Sequence, residues 1–186
     1  MIVIDLDGTL ADCSHRRHFV DKSYLEGCDH WHQIPNHPVD LCNECKDRFK
    51  KWKPNWKAFY EACDKDEPIW TTINLINLFL INDMDINIWS GRCESVKDKT
   101  ILWLKNYLDV DDWFYRDCIK MRPMGDYTPD DQLKERWLDE HIARGGKPID
   151  MVFDDRESCC NMWNNRGIMC FLIKDAHDYR KNNRIS

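Results

Sequence analysis

The stretch that decides the fold is MIVIDLDGTL (residues 1–10), a short apolar run that leads into two aspartates and a glycine. Residues 1–5 are typical of a buried parallel strand, because the run is short and stops at polar residues. Asp5 and Asp7 then lie at the carboxyl end of that strand, where open α/β sheets bind ligands. Gly8 allows the backbone to turn sharply beside them. The stretch predicts an α/β sheet with carboxylates at its functional edge.

More strands and helices alternate along the rest of the chain. Apolar runs of the same kind occupy residues 86–90, 118–121, 149–153 and 168–173. Helical patterns occupy residues 71–82, 95–108, 129–142 and 156–165. This alternation predicts an α/β fold with a doubly wound parallel sheet of the Rossmann-like kind.

Residues 21–53 interrupt the alternation, because they have no clear period and are rich in Cys and His. We interpret them as a small insertion after the first strand. A chain of 186 residues has room for one ordinary domain. The prediction is therefore a single domain, 1–186, that carries this insertion.

The composition limits the class of protein. A formal net charge of −6 argues against a general nucleic-acid binder and leaves room for a local contact only. Residues 46–57 mix lysine and arginine with Phe49, Trp52 and Trp56, which suits phosphates and stacked bases. An amphipathic helix with a solvated basic face explains the same pattern. No apolar run approaches the roughly 20 residues that span a bilayer. No membrane association, a cytoplasmic location and reduced cysteines are therefore expected.

Two further strand ends and one helix carry groups suited to phosphate chemistry. Ser90, Gly91 and Arg92 end one strand with a hydroxyl and a guanidinium that can hold phosphate oxygens. Asp154 and Asp155 end another with hard oxygen ligands of the kind that Mg²⁺ prefers. Lys134 precedes them on a helix and can neutralise negative charge. Of Asp5 and Asp7, one can attack phosphorus while the other handles the leaving-group proton.

These four motifs, in this order, resemble those of the haloacid dehalogenase superfamily over essentially the whole chain outside residues 21–53. The resemblance implies a Mg²⁺-dependent phosphatase. It makes Asp5 the nucleophile of an aspartyl-phosphate intermediate, Asp7 the general acid and base, Ser90 a phosphate ligand and Lys134 the charge stabiliser. The implied Mg²⁺ ligands are Asp5, the carbonyl of Asp7, Asp154 and Asp155.

A closer resemblance within the superfamily is to the 3′-phosphatase domain of phage-type polynucleotide kinase. It rests on Ser90-Gly91-Arg92, Met121-Arg122, Gly125-Asp126, Asp130-Asp131, Asp154-Asp155-Arg156 and Met162-Trp163. It implies substrate contacts from Arg16, Gly91, Arg92, Arg122 and Asp130. The implied substrate is a nucleotide or a nucleic-acid 3′ end in the cytoplasm, the host cytoplasm if the chain is phage-encoded. No Gly-x-x-x-x-Gly-Lys-Ser/Thr motif occurs, so a phosphatase without a kinase half is expected.

The insertion offers a possible structural zinc site. Cys42 and Cys45 form a C-x-x-C pair, and Cys28 and His32 can complete a tetrahedral set, although His30 and His37 are alternatives. Ordinary cysteine thiols explain the same residues without a metal.

Two other functions stay open. One is a phosphatase of small molecules or 5′-nucleotides. The other is a non-catalytic module that binds nucleic acid or protein through the insertion, which the presence of Asp5, Asp7, Lys134 and Asp154 disfavours. The sequence makes no prediction of oligomeric state.

Overall fold

The computed structural model describes residues 1–22 and 50–174. The central strands are β1 (Ile2–Ile4), β4 (Ile86–Cys93), β5 (Ile119–Arg122), β6 (Met151–Asp154) and β7 (Met169–Leu172). They form a parallel sheet in the order β5-β4-β1-β6-β7. A small antiparallel ribbon pairs β2 (Ala11–Asp12) with β3 (Glu67–Pro68).

The described helices are α1 (Trp56–Glu61), α2 (Trp70–Ile81), α3 (Lys97–Lys105), α4 (Asp112–Asp117), α5 (Asp130–Ala143) and α6 (Glu157–Asn165). Short 3₁₀ helices occupy Ser14–Phe19, Cys63–Lys65 and Glu94–Val96. Within the described ranges, none of the helices is both long and apolar enough to cross a membrane.

Apolar side chains cover both faces of the sheet. Ile2 and Ile4 pack on one face and Val3 on the other, because successive side chains of a strand point in opposite directions. The first face is covered by residues of α2, α3 and α4, among them Ile73, Ile76, Leu104 and Phe114. The second is covered by residues of α5 and α6, among them Leu133, Trp137, Leu138 and Trp163. This two-sided layering confirms the prediction of a doubly wound α/β fold.

The predicted strands and helices are all present, with ends within three residues of the predicted ones. Sequence periodicity missed α1, α4 and the β2–β3 ribbon, because segments of six residues or fewer carry too few repeats to establish a period. Most of the predicted insertion at 21–53 lies outside the described residues.

Candidate active site

Three strand ends meet at one edge of the sheet. Ile4 of β1 pairs with Ile88 of β4 on one side and with Phe153 of β6 on the other. Asp5 and Asp154 directly follow their paired residues, and Ser90 comes two residues after Ile88. Because all three strands are parallel, their carboxyl ends form one edge. β4 and β6 lie on opposite sides of β1, so the strand order reverses direction at β1. Open α/β sheets bind ligands at the carboxyl ends of the strands beside such a reversal.

Lys134 joins two of these carboxylates beneath the edge. Its Nζ donates to Asp5 Oδ1 at 2.6 Å and to Asp154 Oδ2 at 2.7 Å. All three side chains are buried. Burial opposes the charge on Lys134, but Asp5 and Asp154 outweigh it and raise its pKa well above the usual range. Lys134 is therefore a fixed positive charge between the two carboxylates, and its role as a charge stabiliser stays a prediction.

Asp155 completes an acidic cluster with Asp5 and Asp154. Burial raises the pKa of Asp5 well above its usual range; Lys134 opposes the rise, and Asp154 and Asp155 add to it. Burial, together with the charge of Asp154, raises the pKa of Asp155 to about 6. The positive charges of Lys134 and of Arg156, which is also near Asp5 and Asp155, only partly offset the three carboxylates, so the cluster is short of positive charge.

A divalent cation such as Mg²⁺ fits this cluster. Oxygen atoms of Asp5, Asp154 and Asp155 lie within 4.8 Å of one another. Asp155 Oδ1 is buried and accepts no hydrogen bond from any residue that the structure describes. A buried acceptor without a partner is costly, and a cation would satisfy it. The close approach of Gly8 explains how the cluster stays compact, because a Cβ atom there would lie 2.1 Å from Asp155 Oδ2.

Asp7 is bound by two buried guanidinium groups. Arg16 Nη2 donates to Asp7 Oδ1 at 2.8 Å, and Arg92 pairs with the same carboxylate through Nε and Nη2. Burial alone would raise the pKa of Asp7, but the charges of Arg92 and Arg16 outweigh burial and hold that pKa below its usual range. Asp7 is therefore ionised at neutral pH when no substrate is bound.

Asp66 holds both arginines from the other side. It accepts from Arg16 Nε and Nη2, each at 2.7 Å, and from Arg92 Nη2 at 2.7 Å. His15 Nε2 lies 2.9 Å from the same carboxylate. The Asp66 side chain has no exposed area. Two carboxylates and two guanidinium groups thus form a balanced buried network, which we call the Asp7–Asp66 network.

The sequence reading did not identify Asp66. It lies among other charged residues just after a 3₁₀ helix, and no spacing distinguishes it from exposed Asp64. Its importance depends on contacts with Arg16, 50 residues earlier, and Arg92, 26 residues later. Local sequence carries no signal for such a pairing.

A cleft of about 500 Å³ opens above Asp5 and Asp7. Helix α1 lines one side with Trp56, Lys57 and Tyr60. The segment from Arg122 to Asp130 also lines the cleft and includes Met124 and Tyr127. The cleft joins the sheet edge to solvent, so a phosphate ester can reach Asp5 through it.

The predicted substrate contacts divide into two groups. Gly91, Arg92, Arg122 and Asp130 line the cleft. Arg16 forms the second group, because it is fully buried and is not among the described residues that line the cleft. Arg92 lines the cleft but has only 1% of its surface exposed. Arg16 donates to Asp7, Asp66 and the carbonyl of Phe59, and its direct contact with substrate stays a prediction. Arg92 is similarly bound to Asp7, Asp66 and Thr100.

Arg122 and Asp130 brace the cleft wall. Arg122 donates from Nε to the Gly91 carbonyl at 2.8 Å and from Nη1 to the Thr128 carbonyl at 2.6 Å, and it pairs with Asp130. Arg156 Nη1 lies 2.5 Å from Asp130 Oδ2. Gly91 is required here, because a Cβ atom would lie 2.5 Å from Asp130 Oδ1.

Ser90 is fully buried within β4, where a register shift in the pairing with β5 begins. Its Oγ accepts a hydrogen bond from the Arg92 backbone N–H at 3.1 Å within this irregular part of the strand, which includes Gly91. Its predicted contact with phosphate stays a prediction.

Two other predicted features lie partly or wholly outside the described residues. The predicted zinc ligands Cys28, His32, Cys42 and Cys45 belong to residues 23–49, which the structure does not describe, and no other observation supports zinc. Of the basic segment 46–57, residues 50–57 are described; Lys50, Lys51 and Lys53 are exposed, and Trp56 and Lys57 line the cleft.

Comparison with known families gives one match. A family model described as the polynucleotide kinase PNKP phosphatase domain matches residues 55–178. The match includes β4, α5 and β6, which carry Ser90, Lys134 and Asp154, but begins after β1. Comparison with curated protein sequences gives no match.

Similar solved structures extend over nearly the whole chain. A chain of the Pnkp1/Rnl/Hen1 RNA repair complex is 19% identical with a TM-score of 0.59, covering 92% of this chain and 41% of that chain. A second structure of the Pnkp1/Rnl/Hen1 complex gives 20% identity and a TM-score of 0.60, with coverages of 92% and 45%. The haloacid dehalogenase-like hydrolase SP0104 from Streptococcus pneumoniae gives 15% identity and a TM-score of 0.53, with coverages of 93% and 83%. The chain spans less than half the length of the Pnkp1 complex chains that it matches. At sequence identities this low, the structural similarity shows a shared fold and no more.

Proposed function

The chain belongs to the polynucleotide kinase PNKP phosphatase family, and on that premise we propose that it hydrolyses phosphate monoesters of nucleotides or of nucleic-acid 3′ ends. It is a phosphatase of the haloacid dehalogenase superfamily. The observation that carries the proposal is the convergence of Asp5, Lys134, Asp154 and Asp155 at one sheet edge. These groups supply a nucleophile and the charges that phosphoryl transfer requires.

In the first step Asp5 attacks phosphorus. An Asp5 oxygen forms the new bond to phosphorus, the bond from phosphorus to the ester oxygen breaks, and Asp7 gives its proton to the departing oxygen. Arg16 and Arg92 keep Asp7 ionised before substrate arrives. The negative phosphate raises the proton affinity of Asp7 when it binds nearby, because like charges disfavour ionisation, and Asp7 then takes up from solvent the proton that it gives to the departing oxygen.

In the second step water releases phosphate from Asp5. Ionised Asp7 accepts a proton from the attacking water, the bond between Asp5 and phosphorus breaks, and the Asp5 carboxylate is restored. Lys134 holds a compensating charge beside Asp5 in both steps. The Asp7–Asp66 network orients Asp7 for both proton transfers.

Mg²⁺ is the proposed cofactor, and Asp5, Asp154, Asp155 and the carbonyl of Asp7 would hold it. When bound, it supplies positive charge that reduces repulsion between the phosphate and the carboxylates. The short supply of positive charge in the acidic cluster and the unsatisfied Asp155 Oδ1 support this proposal.

A nucleic-acid end as substrate is supported by the position of residues 50–57, the described part of the basic segment 46–57. Exposed Lys50, Lys51 and Lys53 lead along the chain to Trp56 and Lys57 at the cleft. Lysines near the entrance attract the phosphate backbone, and this attraction weakens as salt is added. We also propose that residues 1–186 act as one domain in the cytoplasm, with residues 21–53 at the position of a substrate-selecting cap.

A phosphatase of free nucleotides or other small molecules is the second candidate. The net charge of −6 favours it, because a negative protein repels a long polyanion. The cleft volume is also within the range of about 300–1,000 Å³ that is typical of small-ligand pockets.

The test compares phosphate release from a 3′-phosphorylated oligonucleotide, the matching 3′-mononucleotide and a 5′-mononucleotide, with Mg²⁺ and with chelator. We expect the oligonucleotide to have the highest kcat/KM at low salt. This advantage should shrink with salt and in the Lys50→Ala/Lys51→Ala/Lys53→Ala variant. Equal or better turnover of a mononucleotide, unaffected by salt and by these substitutions, would identify the second candidate as correct.

A further inference from the structure

Three side chains at the cleft expose large apolar areas to solvent. Trp56 is 44% exposed, Met124 is 67% exposed and Tyr127 is 87% exposed. All three line the cleft that contains Asp5 and Asp7. Exposed apolar surface grouped around a concave site is typical of ligand-binding surfaces. The steps proposed above act on the phosphate and leave these three side chains without a role.

Trp56 is held in a fixed position relative to the catalytic carboxylates. Its ring stacks on Tyr60 at 6.0 Å and 29°, and it contacts Phe59 edge to face at 5.7 Å. Phe59 is buried and lies under the guanidinium of Arg16, 4.1 Å from the ring centroid. Arg16 in turn binds Asp7. Because the platform is already ordered, a ligand that stacks on Trp56 loses little free energy in ordering it.

The segment that carries Met124 and Tyr127 is also braced. Thr128 accepts from Arg122 through its carbonyl, and its backbone N–H donates to Asp126 Oδ1 at 2.9 Å. The Met124 backbone N–H donates to Glu94 Oε1 at 3.2 Å. These bonds fix the backbone on both sides of Tyr127. The thioether of Met124 and the ring of Tyr127 can pack against a flat π surface.

We propose that the cleft is a nucleobase subsite, in which the base of the phosphorylated terminal residue stacks on Trp56, with Met124 and Tyr127 as further contacts from the cleft lining. A cleft of about 500 Å³ has room for one base and its sugar beside Asp5. Stacking is tolerant of sequence because every base has a π face, so all four bases are accepted. The inference rests on the proposed function and adds that the terminal residue must carry a base.

The experiment measures kcat/KM for a 3′-phosphorylated trinucleotide and for the same molecule with an abasic sugar at its phosphorylated end. In wild type we expect the base to raise kcat/KM by about tenfold to a hundredfold. Trp56→Ala should remove this difference between the two substrates, while Trp56→Phe should keep most of it. Tyr127→Ala should reduce the difference independently.

The matched control is Trp113→Ala. Trp113 is 54% exposed and lines a separate cavity near Asp85 and Ile86, at the amino end of β4. It should leave both substrates unaffected. Equal wild-type efficiency on the two substrates, or an equal loss on both in Trp56→Ala, would overturn the subsite.

A binding measurement separates this inference from the proposed function. The Asp5→Asn variant is titrated with a nucleoside 3′-phosphate and with its abasic analogue, and tryptophan fluorescence is recorded. We expect the nucleotide to bind about tenfold to a hundredfold more tightly, and Trp56→Ala in the same background to abolish the difference. Failure of 3′-end hydrolysis alone rejects the proposed function, whereas equal binding of the two probes rejects the subsite.

Discussion

Replacing Asp66 by Asn should destabilise the protein strongly, although Asp66 is not proposed to touch substrate. The Asp7–Asp66 network balances two carboxylates against two guanidinium groups. Asp66→Asn leaves one carboxylate against two buried cations. The NH₂ group of the new amide would also face guanidinium N–H groups, which donate hydrogen bonds and cannot accept one. Breaking a buried ion pair by removing one partner costs about 3–5 kcal/mol. The change is a large part of the roughly 5–15 kcal/mol that stabilises a typical protein.

The assay is urea unfolding and thermal melting of wild type, Asp66→Asn and the control Asp64→Asn. Asp64 is exposed two residues earlier, and such surface changes usually alter stability by less than about 0.5 kcal/mol. At about 2–4 °C per kcal/mol for a chain of this size, Asp66→Asn should lower Tm by about 6–20 °C. Arg16→Met added to Asp66→Asn should recover part of the loss, because it removes one unpaired cation. A Tm within 2 °C of the Asp64→Asn control would refute the account of the network as a balanced set of buried charges.

The other predictions concern catalysis, metal binding and alkaline stability. Asp5→Asn should fold, because Lys134 keeps Asp154 as a partner, and it should lose nearly all phosphate release. Asp7→Asn removes a carboxylate of the Asp7–Asp66 network, so it should lower Tm; assayed below its Tm, it should lower kcat about a hundredfold to ten-thousandfold and still trap labelled phosphate from an activated aryl phosphate. Exhaustive chelation should abolish turnover until Mg²⁺ is restored, and Asp154→Ala should raise the Mg²⁺ concentration required; full activity in chelator would contradict the metal site. Burial raises the pKa of Cys13 from 9.0 to about 11, so the native state retains a proton that the unfolded chain loses. Cys13 alone should therefore lower stability by up to about 1.4 kcal/mol per pH unit between pH 9 and 11, and urea unfolding should show a fall smaller by that amount in Cys13→Ala.

The sequence by itself determined the layering of the fold and the chemical groups at the sheet edge. Strands such as Ile2–Ile4 and Met151–Asp154 are short, mostly apolar and largely buried. Their ends can therefore be recognised in the sequence, at the point where an apolar run meets an aspartate. In a parallel sheet these ends must lie on one edge. The contact between Lys134 and Asp5 across 129 residues therefore follows from the topology once the strands are known.

Only the tertiary structure decided which polar residues are buried together and which apolar residues stay exposed. Arg16 is a plausible surface arginine in sequence, yet it is fully buried because Asp7 and Asp66 together neutralise and satisfy its guanidinium. Trp56 has a large apolar side chain of the kind usually found in a core. It is nevertheless 44% exposed at the cleft, because Phe59 of the same helix occupies the buried position. Burial depends on neighbours distant in sequence, so no local pattern separates these two outcomes.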